Sequence, residues 1–400
     1  MKIFQKLFLL ILLMLAVKFI TGCKYDVAEP MWDKEFQGAP IPKITSVNPP
    51  QASAGVNTIS IEGENLDVNG TTVYFDNLSA DIISSSQSKI VVRRPNLVSQ
   101  SCYIKVVPNQ ALVVAKYGPY KIDKVVERYG SFLENLQLSV LAVDKSENLY
   151  VVETSSRNIV KVTPDGSKSV IGTITRTPTD ARVGPNGKLY LLGNNRSIDM
   201  VDLTTGVTKE WIRLPSGRVV KFGDFDANGY FYTGGTRSDL VIIAPDLSLS
   251  YAGLYSSDEI LAVRVFNNYV YVVSRKAGTQ DAAKIWRHPI ISPGSLGARE
   301  SFLDLSSFSE FASHTIKSIT FSLEGKMFIA TDSVNPILIY DSSLNQIDYF
   351  YKGILSPYCK YFYWGNENYL YMIIGDTAAG QEWTVYRVDM GSKGAPYFGN

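Results

Sequence analysis

The chain has 400 residues, of which 45% are hydrophobic, 12% aromatic and 19% charged, and its formal net charge is +1. So balanced a charge excludes the basic field of a nucleic-acid-binding protein and the bias of a disordered tail, and the length leaves room for two domains with sizeable cores. With two histidines and three cysteines, multi-histidine metal sites are excluded and no cofactor or metal is expected.

Lys2 and Lys6 flank the start of eleven uninterrupted apolar residues, Leu7 to Val17, followed by Lys18 and Phe19-Ile20-Thr21-Gly22-Cys23. That run falls short of the roughly 20 residues a membrane span needs, so residues 1–22 read as a signal peptide. The small pair before Cys23 resembles a bacterial lipobox, which implies that Cys23 is lipidated and begins the mature protein. Several acyl chains, each worth about 0.8 kcal/mol per buried CH₂, anchor a protein firmly to a bilayer without crossing it. Lys24, where an Asp would retain the protein elsewhere, points by the usual sorting rule to the outer membrane, with the chain displayed at the cell surface. Residues 23–42 carry Pro30, Pro40 and Pro42 and read as a tether.

Residues 43–122 form a smaller all-β unit. Ile44-Thr45-Ser46-Val47-Asn48-Pro49-Pro50, Gly55, Ile59 to Leu66, Val73-Tyr74-Phe75 and Ile90-Val91-Val92 alternate apolar positions between turn clusters, the pattern of a β-sandwich. The order of these phrases resembles the IPT/TIG family of immunoglobulin-like domains, which are spacers or interaction modules. Cys102 in this unit and Cys359 in the next are expected as two separate buried thiols.

Residues 123–400 repeat one phrase six times, a turn residue followed by a strand with an aromatic at its centre. The aromatics are Tyr150, Tyr190, Tyr232, Tyr271, Phe328 and Tyr371, at steps of 40, 42, 39, 57 and 43 residues. A period near 40 built of short strands and tight turns predicts a β-propeller, here of six blades. In the second copy Pro185-Asn186-Gly187 supplies the turn, and Leu189 to Leu192 is apolar throughout, as a strand covered on both faces must be. The strand completing the ring comes either from the region Tyr120 to Tyr129 or from the C-terminus. The long fourth step marks an insertion between Arg275 and His314. Val143-Asp144 to Tyr150-Val151-Val152 and Phe225-Asp226 to Tyr230-Phe231-Tyr232 resemble the NHL repeat.

Catalytic motifs are sparse. No Gly-x-Ser-x-Gly elbow is present. Asp224 to Gly229 matches the first half of a calcium loop, but Gly235 stands where the closing Glu belongs, so the phrase reads as a hairpin turn. Arg157, Arg196, Arg237 and Arg275 follow the repeat aromatics of blades one to four, and radial symmetry places them on one face, with Asp332 and Asp376 in blades five and six. Their forked donors suit carboxylate or sulfate. Trp286 in the insertion and Trp383 in blade six are candidate stacking surfaces for sugar rings.

A lipoprotein joining an IPT/TIG domain to an NHL-like propeller resembles Bacteroidetes surface proteins of glycan-uptake systems. The resemblance implies a non-enzymatic protein that captures an extracellular ligand, a polysaccharide above all, beside outer-membrane transporter components. A polysaccharide lyase or hydrolase on a propeller scaffold, and a protein-recognition module in envelope assembly, stay open. A Tyr-Arg-His group converging in one pocket would favour the enzyme; an open aromatic and basic groove would favour binding.

Overall fold

A computed structural model of the chain describes residues 4–6, 8, and 40–397 apart from 68–69, 110, 237–238, 312–313 and 377–379. Cys23 and Arg237 therefore lie outside the described residues, as does most of the leader and tether.

The N-terminal unit is a sandwich of two four-stranded sheets. One is ordered Lys43–Asn48, Thr58–Glu64, Lys89–Arg93, Ile82–Ser85, and the other Leu78–Ser79, Thr71–Phe75, Ser99–Pro108, Ala115–Ile122. Strict alternation puts Ile59, Ile61, Ile90 and Val92 from one sheet against Val73, Phe75, Ile104 and Val106 from the other. Cys102 is buried in that core and Cys359 in another, both as free thiols.

The remainder is a propeller of six sheets. Their innermost strands are Leu138–Val143, Asp180–Gly184, Phe222–Phe225, Asp258–Phe266, Ile316–Phe321 and Cys359–Trp364, each touching the next and the last touching the first. These strands are buried almost throughout, because a neighbouring blade covers each face. The sixth sheet is completed by Val126–Arg128, which pairs with Gln381–Asp389. The N-terminal segment thus closes the ring, and Arg387 pins it, ion-paired with Glu127 and lying 4.6 Å from the ring of Tyr129. The long fourth repeat becomes a five-stranded blade. Its third strand, Lys284–Ser292, runs on into a hairpin with Ser295–Leu296 and also pairs with Glu300–Asp304.

The NHL-like phrase has a local physical cause. In blade one Asp144 accepts from the amides of Ser146 and Asn148 and from the hydroxyl of Tyr150 at 2.8 Å. Asp226 in blade three does the same for Asn228, Tyr230 and, at 2.9 Å, Tyr232. One carboxylate organises the turn and satisfies a phenol that would otherwise be buried without a partner. The calcium-like phrase is therefore a hairpin organiser, as its repeat position indicated.

The two domains are firmly joined beside blades five and six. Tyr351, 1% exposed, accepts from the Gly55 amide at 2.6 Å and donates to Asp389 O at 3.0 Å. Asn57 donates to Tyr349 O and accepts from the Tyr351 amide, and Arg93 pairs with Asp348 at 2.7 Å.

Candidate functional site

The register of every blade places the first residues of its innermost strand beside the turn between its second and third strands. Examples are Leu138 opposite Glu153, Asp180 opposite Leu192 and Glu259 opposite Arg275. These turns and strand starts form one face of the ring, termed the upper face here. Binding groups on propellers can be carried by such loops over a rigid scaffold.

The axis below this face is filled. Asp180 accepts from the Gly223 amide at 2.9 Å, pairs with Arg182 at 2.6 Å and is hydrogen-bonded by the Tyr361 hydroxyl. Asp224 is shared by Arg182 at 3.4 Å and Arg264 at 2.8 Å. Burial of Asp180 raises its pKa against the pull of Arg182, and burial drives the phenol of Tyr361 well up. Arg264 also donates to the carbonyls of Ala395 and Pro396 at 2.8 and 3.0 Å. The C-terminal tail thus plugs the lower end. Tyr397 stacks on Tyr363 at 4.0 Å with the Arg264 guanidinium 3.6 Å over its ring, and the Ala395 amide donates to Phe321 O. Arg182, Asp224, Arg264 and Tyr363 each stand opposite the repeat aromatic of their blade, so the repeat gives their place in the strand, but that they meet at the axis follows only from closure of the ring.

Around the rim, charges are held in short chains. Glu259 bridges Lys221 at 2.8 Å and Arg275 at 3.3 Å; burial opposes its charge, but the two cations outweigh that and hold its carboxyl below the usual range. Asp332 accepts from the Thr315 amide at 2.9 Å and pairs with Lys317 at 3.1 Å and His314 at 3.6 Å. Lys360 lies 4.6 Å over the ring of Trp383. Close surroundings lower its pKa, helped by Lys317 and opposed by Asp376, although its side chain still meets solvent.

Arg157, Arg196 and Arg275 are brought to this face but are not equally available. Arg157 is exposed and turned onto its own blade, donating to Ile174 O and Thr175 O. Arg275 is largely occupied by Glu259. Arg196 is exposed, and among the described residues its guanidinium has no hydrogen bond or ion pair. Trp383 is not a stacking surface: it is 7% exposed and belongs to the core between blades one and six. Trp286 is half-buried against blades three and four, with Arg299 stacked on it at 4.1 Å.

Tyr255, His288 and Arg299 do converge at the outer side of blades three and four. The Tyr255 hydroxyl lies 2.8 Å from His288 Nε2, and His288 Nδ1 lies 3.2 Å from Gly297 O. A carbonyl can only accept, so Nδ1 carries the proton and Nε2 accepts from Tyr255. Tyr255 is fully buried, and burial pushes its phenol up while Arg299 pulls it down. Such a phenol is a poor proton acceptor.

Residues 42–122 match the family model of the IPT/TIG domain, so the sandwich is an IPT/TIG domain. In the described residues that domain is joined to a six-bladed propeller. No curated protein matches the chain. Among solved structures, a protein of unknown function from Bacteroides thetaiotaomicron is 11% identical with a TM-score of 0.51, covering 90% of this chain and 100% of its own. An auxiliary nutrient binding protein from the same organism is 10% identical with a TM-score of 0.50, covering 87% and 98%. A luciferin-regenerating enzyme is 15% identical with a TM-score of 0.54, covering 68% and 98%. At such identities the likeness is one of fold.

Proposed function

We propose that this is a non-enzymatic, lipid-anchored outer-membrane protein that binds an extracellular polysaccharide on the upper face of its propeller. The observation carrying this reading is the state of the axial groups. Asp180, Arg182, Asp224, Arg264 and Tyr361 are buried and paired with one another, so among the described residues this axial cluster offers no free acid or base to a polymer lying across the upper face. Above them, Arg196 and Lys360 meet solvent and offer contacts. The fold shared with a Bacteroides auxiliary nutrient binding protein supports the same reading. The IPT/TIG domain would set the distance and angle of the propeller from the anchor at Cys23, beside the transporter components that the resemblance to glycan-uptake surface proteins implies.

A glycan array probed with the purified protein tests the reading. Binding to one polysaccharide class, with polymer length unchanged after long incubation, is the expected result. Arg196→Ala is expected to weaken capture without changing the melting temperature, and Cys23→Ala to move the protein out of the membrane fraction. A lyase has one observation in its favour, the Tyr255–His288–Arg299 group. Release of unsaturated oligosaccharides by the pure protein would establish that alternative and end the binding reading.

A further inference from the structure

The insertion in blade four does more than lengthen a strand. Its hairpin, ending in Ser295–Leu296, faces Leu249–Ala252, the outermost strand of blade three, across a cavity of about 360 Å³. That volume is within the range of small-ligand sites. Tyr251, 42% exposed, lines it together with Ser250, Gly253, Leu254, His288 and Ser295.

The lining has no formal charge. It contains no Asp, Glu, Lys or Arg, and His288 is held neutral because burial lowers its pKa and both ring nitrogens are engaged. Two arginines adjoin the lining and both are engaged: Arg218 lies 4.3 Å over the ring of Tyr251 and pairs with Asp239 at 3.4 Å, and Arg299 donates to Leu254 O at 2.8 Å and stacks on Trp286 at 4.1 Å. Neither guanidinium belongs to the lining. What remains is an aromatic face, the aliphatic side chains of Leu254 and Leu296, two hydroxyls and the backbone of Gly253 and Gly297.

We infer that this cavity is a second binding site, one that takes a neutral sugar ring by stacking on Tyr251. A sugar has an apolar C–H face for the tyrosine and hydroxyls for Ser250, Ser295 and the glycine backbone. An ionised sugar would lose hydration in a lining with no charged side chain of its own, beside arginines already engaged elsewhere. The inference rests on the reading of the protein as a glycan binder. It adds a site on the side of the ring, separate from the upper face, so that one polymer held at both points gains avidity.

The test uses the purified protein, with neutral hexose oligomers and a uronate oligomer of equal length titrated in a calorimeter. Tyr251→Ala is expected to lower affinity for a neutral oligomer about tenfold, the scale of one aromatic stacking contact. Tyr251→Phe is expected to keep affinity within about twofold, because the ring is what stacks. Ser295→Trp fills the cavity from an exposed position and should abolish binding there with the melting temperature unchanged. Neutral oligomers that bind all three variants as tightly as the parent overturn the inference and leave the glycan-binding function standing. A parent protein that binds only the uronate oligomer also overturns it. Absence of binding to any glycan overturns both.

Discussion

Arg264 donates to Asp224 at 2.8 Å near the propeller axis, and neither side chain is more than 1% exposed. The same guanidinium holds the carbonyls of Ala395 and Pro396, so one residue ties blade three, blade four and the C-terminal tail together. Removing one partner of a buried pair leaves the other charge without compensation. Arg264→Met is therefore expected to cost about 3–5 kcal/mol in urea unfolding. Deleting residues 394–400 should act in the same direction, since it strips Arg264 of two acceptors and uncovers Tyr363. Unchanged midpoints would show that the axial cluster is not a structural clasp.

The turn carboxylates allow a matched comparison. Tyr232→Phe removes the phenol from Asp226 and is expected to cost about 1 kcal/mol. Tyr190, at the equivalent place in blade two, has Gly184 where the Asp would be, and among the described residues its hydroxyl has no hydrogen bond. Tyr190→Phe should then stay within about 0.5 kcal/mol of the parent. Equal losses from the two substitutions would remove the repeat's carboxylate from the account.

His288 makes a pH dependence with a definite sign. Burial lowers its folded-state pKa below the ordinary 6.5, helped by Arg299 and opposed by the hydrogen bond to Gly297 O and by Glu300. The unfolded chain therefore binds a proton first as pH falls. The stabilisation is fully present above about 6.5 and is lost as pH drops from there through the folded value. Thermal midpoints recorded from pH 8 to pH 5 should decline across that window, and His288→Gln should flatten the decline. A slope that survives the substitution would assign it to other groups.

Tyr351 couples the domains, through Gly55 on one side and Asp389 on the other. The parent protein should unfold in one calorimetric transition. Tyr351→Ala is expected to split it, with the IPT/TIG domain melting apart from the propeller. A single transition in the variant would show that Arg93–Asp348 and the Asn57 hydrogen bonds suffice.

Much of this architecture is legible in the sequence, because local rules produce it. The six aromatics, the Asp144 and Asp226 turns and the alternation of Ile59, Ile61, Ile90 and Val92 each depend on neighbours a few residues away, and they determine six blades and a sandwich. The long step after Tyr271 likewise marks the insertion. Only the tertiary structure decided which segment closes the ring, since Val126–Arg128 and the C-terminus were equally free to supply the strand. It also showed that Arg157 and Arg275 are occupied by their own surroundings, that Trp383 is core, and that the tail plugs the axis. Spacing along the chain reports a residue's place in its blade. Whether its side chain meets solvent, a counter-charge or another blade depends on contacts such as Asp180 to Tyr361, 181 residues apart, and closure of the ring creates those.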